Sequence, residues 1–382
     1  MSTAKPTYTS PKQSAPAEAP AGIVGSWVNF WFAAVDPIGL HALRVLAGLL
    51  FLFWLLPFAG EHQALFSLGG WFDATAYREW SRLPNLPPHS FGWSVLYLFG
   101  GNPSPAALAA VYWVSIAAIV LFTLGLWTRV TGVLTWVAAA SYTASPPVSY
   151  DADTLLVMLA FYLMLGYLLL GLMAPRQSLL GRLFGPKETW LFSRSESVIG
   201  ESVAANLAVR LFQVHFAIAM VASGLHKLQV KEWWNGLATW FYVNVPFHAT
   251  PDEVKSYAPN GETFLVLFTL ASYLILAWQL GFPAFAWRRS LRPVLLGGAL
   301  VAWLACAFIF PSLPLFGPLM VVACLGYLSP AEWRRLQALA ARLPGVRRLA
   351  ERLAPAPLGT VLAGPKGGNV ARISADSVGQ RS

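Results

Sequence analysis

The stretch Ala222-Ser223-Gly224-Leu225-His226-Lys227-Leu228-Gln229-Val230-Lys231-Glu232-Trp233-Trp234-Asn235-Gly236 closes an apolar run that begins at Ser202. About 20 such residues suffice to cross the hydrocarbon core of a bilayer, so the run reads as a membrane span and the stretch as its exit from lipid. A lysine, a histidine and two tryptophans stand at that exit. An ammonium group near hydrocarbon is costly unless it snorkels, pairs or lines a wet cavity, so an ionisable residue there is a candidate functional group. A lysine beside tryptophans is equally the pattern of an interfacial anchor.

The rest of the chain fits a membrane setting. Of its 382 residues 56% are hydrophobic and 11% charged, against about 25% charged in an average soluble domain. Apolar runs recur between residues 38 and 329 with short polar breaks, which predicts one all-α, polytopic domain over residues 21–330. The net charge of +9 comes from basic residues scattered between the runs. That distribution points to membrane orientation and away from nucleic acid. Cys306 and Cys324 lie inside apolar runs and form no CxxC pair, so they read as core residues.

About eight spans are expected: Ile38–Phe58, Pro105–Leu126, Val130–Thr143, Thr154–Met173, Ser202–Leu225, Glu262–Phe282, Pro293–Phe310 and Leu315–Leu328. Arg44 falls in the first turns of the first span, close enough to its end to snorkel. The aromatic segment Ala21–Val35 is too short to span and reads as interfacial, and Gly92–Phe99 as re-entrant or interfacial. Residues 331–353 place Trp333, Leu336, Ala340 and Leu343 at helical spacing among arginines, the pattern of a basic amphipathic helix lying on anionic membrane lipids. The Pro/Ala/Ser-rich ends, 1–20 and 354–382, read as disordered tails.

Counting Lys and Arg in alternate loops gives sixteen on the side of the termini and five on the other. Both termini are therefore expected in the cytoplasm, with Lys227 and the turn Tyr150-Asp151-Ala152-Asp153 on the outer face of the membrane.

At about 100° per residue Lys227 shares a helix side with Gln213 and Gly224, while His215 and His226 share another. The two histidines, about 16 Å apart along the helix, cannot chelate one metal, and no metal site is legible. Gly224 would let a flat ligand or a neighbouring helix approach, and Trp233 and Trp234 would flank that ligand. A lysine desolvated at a membrane boundary shifts toward its neutral form and can act as a base on a lipid-soluble acid. Asp151 and Asp153 either relay protons beside Lys227 and His226 or cap the following helix. Nothing resembles a hydrolase triad, a P-loop or a dinucleotide fingerprint. Neither a broken span nor a pair of repeats, the marks of a transporter, is legible.

Three motifs carry a resemblance to a family. They are Leu40-His41-Ala42-Leu43-Arg44-Val45 with Gly48, Leu124-Gly125-Leu126-Trp127-Thr128-Arg129, and Ser223-Gly224-Leu225-His226-Lys227-Leu228 with Trp233 and Gly236. Over residues 30–330 the chain resembles the horizontally transferred transmembrane domain (HTTM) family, relatives of the membrane half of vitamin K-dependent gamma-carboxylase. The resemblance implies that Lys227 is the base that deprotonates a reduced naphthoquinone on the outer face. The position of the family's functional histidine is Ala152 here, and no soluble region follows the spans. Those departures imply quinol epoxidation-type chemistry rather than protein carboxylation. The competing expectation is a non-catalytic membrane scaffold or lipid-binding protein, its protein partner unspecified, in which Lys227 anchors a helix end.

Overall fold

A computed structural model describes residues 22–67, 69–73, 75, 76, 79, 104–148, 152–172, 201–243, 261–308, 315–340 and 342. The expected tails, the Gly92–Phe99 patch, most of the basic loop before Glu201, Asp151 and the helix expected beyond Ala340 lie outside the described residues. Among the described residues the regular elements are helices, joined by one isolated antiparallel bridge between Val35 and Ser202.

In chain order the helices are α1 (Ile23–Phe32), α2 (Ile38–Leu55), α3 (His62–Phe66), α4 (Pro105–Leu124), α5 (Thr128–Thr143), α6 (Asp153–Leu172) and α7 (Val203–Lys227). There follow α8 (Lys231–Trp234), α9 (Ala238–Val243), α10 (Gly261–Phe285), α11 (Arg292–Phe308), α12 (Phe316–Leu325) and α13 (Pro330–Ala340). Local chemistry sets their ends. Ser104 Oγ accepts from the Ala107 amide at 3.2 Å and Pro105 occupies the first turn, so α4 starts there. It stops at Gly125, whose φ of 85° is left-handed and open to glycine without strain. Ser202 caps α7 in the same way as Ser104 caps α4.

Among the described residues six segments are long and apolar enough to cross a membrane: Ile38–Ala59, Pro105–Leu124, Asp153–Leu170, Val203–Lys227, Leu265–Phe285 and Arg289–Phe308. The chain is an integral membrane protein in contact with lipid. Eight spans were expected; the other two are present as shorter helices, α5 with 16 residues and α12 with 10. At 1.5 Å per residue they reach about 24 and 15 Å, against about 30 Å of hydrocarbon.

The helices pack as an antiparallel series in which α5 sits between α4 and α6, α6 adjoins α7, and α7 adjoins α10. Helix α2 closes the group by packing on α4, α6 and α12, and α11 pairs with α12. One aromatic chain, Phe212–Phe216–Phe282–Tyr327, ties α7, α10 and the end of α12 together through ring contacts. Helices α1 and α13 cover one end of the bundle: α1 packs on α7, and Trp333 of α13 lies 3.2 Å from where a Cβ on Gly39 would be. Arg334 forms an ion pair with Asp36 there.

Arg44 differs from expectation. It does not snorkel: it is 1% exposed, and its Nη1 donates to Tyr167 Oη at 2.9 Å, while His41 Nδ1 shares that hydroxyl at 2.6 Å. A Cβ on Gly125 would lie 2.8 Å from Arg44 Nη2. The glycine turn therefore makes room for a guanidinium that finds its hydrogen bond inside the bundle, which removes the need to reach water.

Candidate functional site at a break in the seventh helix

Lys227 is the last residue of α7. Leu228 to Val230 leave the helix, with Val230 extended at φ −110° and ψ 127° before the four-residue α8. Gly236, at φ +72°, then turns the chain into α9. These pieces do not form a loop that leaves the bundle. Gly224 faces Leu280 of α10, Trp233 packs on Leu276, Gly236 abuts Thr269, and Trp240 packs on Leu265 and Phe268. As the number rises along α7, α8 and α9, the partner number on α10 falls, so the three helices form one interrupted rod antiparallel to α10. The contacted residues lie within the apolar stretch Leu265–Phe285.

A broken helix exposes backbone groups, which must be met if hydrocarbon surrounds them. Here α10 meets them with hydroxyls. Tyr273 Oη donates to the Trp234 carbonyl at 2.8 Å, and Ser272 Oγ donates to the Gly236 carbonyl at 3.1 Å. Ser272 Oγ also accepts from the Thr239 amide at 3.2 Å. Within the break, Trp234 Nε1 donates to the Leu228 carbonyl at 2.6 Å. No interruption was legible because Leu228–Gly236 looks like any interfacial loop; the contacts with α10 come from residues more than thirty positions away.

Half-buried Lys227 donates from Nζ to Ser223 Oγ at 2.8 Å, one turn back, and its Nζ lies 5.3 Å from the centroid of the Trp233 ring. Buried Trp233 thus offers its π face to the ammonium. His226, next to Lys227, is exposed, as is Trp234. Gly224 serves the helix contact: a Cβ there would sit 2.8 Å from Leu280 Cδ2.

The other expected residues separate. Gln213 is fourteen positions before Lys227, about 21 Å along α7, and belongs to a second polar cluster. Its Nε2 donates to the Gly326 carbonyl at 2.8 Å, and its Oε1 accepts from Arg210 Nη1 at 2.9 Å and from Trp287 Nε1 at 3.0 Å. Tyr327 Oη donates to the Gln213 carbonyl, while Arg292 donates to the carbonyls of Ala286 and Tyr327 and pairs with Glu332. Burial pushes the Glu332 carboxyl up, but hydrogen bonds from Ser329 and the charges of Arg292 and Arg289 together hold it below the ordinary carboxylate range.

Asp153 opens α6, where its charge favours the helix dipole. It lines a groove of about 580 Å³ between α5, α6 and α7. Tyr162 and His215 lie further down the same groove, with Tyr162 Oη 3.0 Å from His215 Nδ1. In the sequence His215 stands out only through its distance from His226, which excludes a shared metal. Its position midway along the longest apolar run before the break was a signal in its own right. Among the described residues no group of three His, Cys, Asp or Glu side chains could hold a metal.

No protein-family model matches the chain, and no curated protein or solved structure matches it either.

Proposed function

We propose that this chain is an HTTM-like membrane enzyme in which Lys227 takes the phenolic proton of a lipid-soluble hydroquinone. The observation that carries the reading is the place of the amine: beside a helix break, against the apolar middle of α10, where a lipid-soluble acid and its base meet at one depth. Ser223 orients Nζ and the Trp233 ring accommodates the ammonium that forms once the proton arrives. The hydroquinone is left as its monoanion, electron-rich enough to react with dioxygen. His226, adjacent to Lys227 in the chain, is proposed to pass the proton on, with Asp151, outside the described residues, and Asp153 as the carboxylates that could receive it. The excess of Lys and Arg in the loops on the side of the termini supports an orientation in a bacterial inner membrane with this end of the bundle outside and both termini in the cytoplasm. The basic segment from Glu332 to Leu353 then lies on the anionic inner leaflet.

A second reading is a lipid-binding scaffold in which Lys227 is an anchor. The exposed Trp234, with its indole N–H tied to the Leu228 carbonyl, favours it. Oxygen uptake by purified protein supplied with reduced menadione separates the two. The enzyme reading expects uptake in wild type and loss in both Lys227→Ala and Lys227→Arg, because a guanidinium does not give up its proton. Uptake no higher than in the variants overturns it, and leaves the scaffold.

A further inference from the structure

The end of the bundle covered by α1 and α13 brings an apolar surface and positive charge together. On α1, Ile23 is 91% exposed and Trp27 62%, and Val24 and Phe32 are exposed as well. With ten residues the helix is about 15 Å long, too short to span, and an apolar surface of that size suits the boundary between headgroups and acyl chains. Its half-buried residues hold it on the bundle: Asn206 Nδ2 of α7 donates to the Phe30 and Trp31 carbonyls at 3.0 and 3.2 Å.

The charge stands against the same helix. Arg210, one turn after Asn206, places its guanidinium 4.4 Å from the centroid of the Phe30 ring, and the ring of Trp27 lies 6.5 Å from that of Phe30. A line of contacts thus runs from the guanidinium to the exposed indole. Arg210 is half-buried; its Nη1 donates to Gln213 Oε1, and its Nε is buried without a hydrogen-bond partner. Both Gln213 and Phe30 are neutral, so they orient the cation without cancelling its charge.

The neighbouring charges do not cancel it either. Arg292 brings a second guanidinium to the Tyr327 carbonyl of the same knot, and the carboxylate of Glu332 pairs with Arg292. Exposed Arg288 follows Trp287, whose ring lies 6.4 Å from that of Phe30. The stretch that precedes α7, outside the described residues up to Glu201, has Arg176, Arg182, Lys187 and Arg194 in its sequence against Glu188, Glu196 and Glu201. It does not reverse the balance. A half-buried guanidinium in such a place favours an anion, and the apolar helix beside it favours acyl chains. A water-soluble anion would use the first and leave the second in water.

We propose that this end of the bundle binds an anionic phospholipid, its phosphate on Arg210 and its acyl chains along Trp27 and the exposed face of α1. The site is independent of the chemistry at Lys227.

Native mass spectrometry of the full chain in detergent, with equimolar phosphatidylglycerol and phosphatidylcholine, tests it. Phosphatidylglycerol is expected to be retained about fivefold better, the worth of one cation at a lipid surface. Arg210→Gln should remove that preference, whereas Arg335→Gln, at an exposed position of α13 on the same end, should leave it intact. Trp27→Ala changes an exposed ring, does not depend on Arg210→Gln folding, and should lower retention of phosphatidylglycerol. Inorganic phosphate in excess should not displace the lipid. Equal retention of the two lipids by wild type, an undiminished preference in folded Arg210→Gln, an equal loss in Arg335→Gln, unchanged retention by Trp27→Ala, or displacement by inorganic phosphate would each overturn the proposal.

Discussion

The middle of α7 and its C-terminal end handle polarity in opposite ways. Around Gln213, groups from α7, α11 and α13, and from the turns after α10 and α12, converge on one knot. There Gln213 uses its amide nitrogen, its amide oxygen and its backbone carbonyl at once. Around Lys227 the polar groups are mostly those of a broken backbone, and one helix, α10, supplies the hydroxyls that meet them. The knot joins five parts of the chain, so it fixes how the bundle closes. The break involves two neighbours and leaves side chains at its surface. A site that must admit a ligand is expected at the second kind of place.

The sharpest way to break this contrast is Gln213→Leu. It leaves the Gly326 carbonyl, the Trp287 indole N–H and Arg210 each short of a partner in a low-dielectric interior, at a cost of about 3 kcal/mol. Unfolding of the purified protein in detergent should show that loss. Gly236→Ala follows: a methyl at φ +72° is strained and would overlap the Thr269 side chain, for about 2 kcal/mol. That loss should come with altered accessibility around Trp233 and leave the Gln213 knot intact by hydrogen exchange.

Lys227→Met removes the Ser223 hydrogen bond and the Trp233 cation–π contact at a half-buried position and should cost less than Gln213→Leu. A loss as large as that of Gln213→Leu would show that Lys227 is structural, and the contrast would fail. The smallest effect belongs to Glu332. Its folded pKa is lowered, so its contribution to stability is present above the ordinary carboxyl value and is lost as pH falls through the lowered one. Melting of wild type should therefore drop on acidification below pH 4.5 more than that of Glu332→Gln.

What was legible in the sequence followed from local rules. Hydropathy located the six long apolar helices, Ser104-Pro105 marked the start of α4, and Gly125 marked its end. Span count was less legible, because α12 is apolar but short while α5 is short and carries buried threonines and Arg129, and an apolar run alone does not report where its helix begins. Arg44 read as a snorkelling residue because Tyr167, its partner, lies 123 residues away. The Tyr162–His215 pair is 53 residues apart and the Tyr273–Trp234 bond 39 apart, so neither the groove nor the interrupted rod has a local signature. Lys227 stood out from its charge and setting, but the shared helix side that linked it to Gln213 concealed the length of helix between them.

The depth of the break tests the account most directly. Trp234 and Leu274 are both exposed, and the Tyr273–Trp234 hydrogen bond sets them at one height. Spin labels on Trp234→Cys and Leu274→Cys, in a bilayer, should both collide more with oxygen than with a water-soluble nickel chelate. Their depths should agree within about one helical turn, 5 Å. A label at position 234 that meets the nickel chelate as freely as a surface loop would place Lys227 above the membrane, and would contradict the claim that α7, α8 and α9 form one interrupted span.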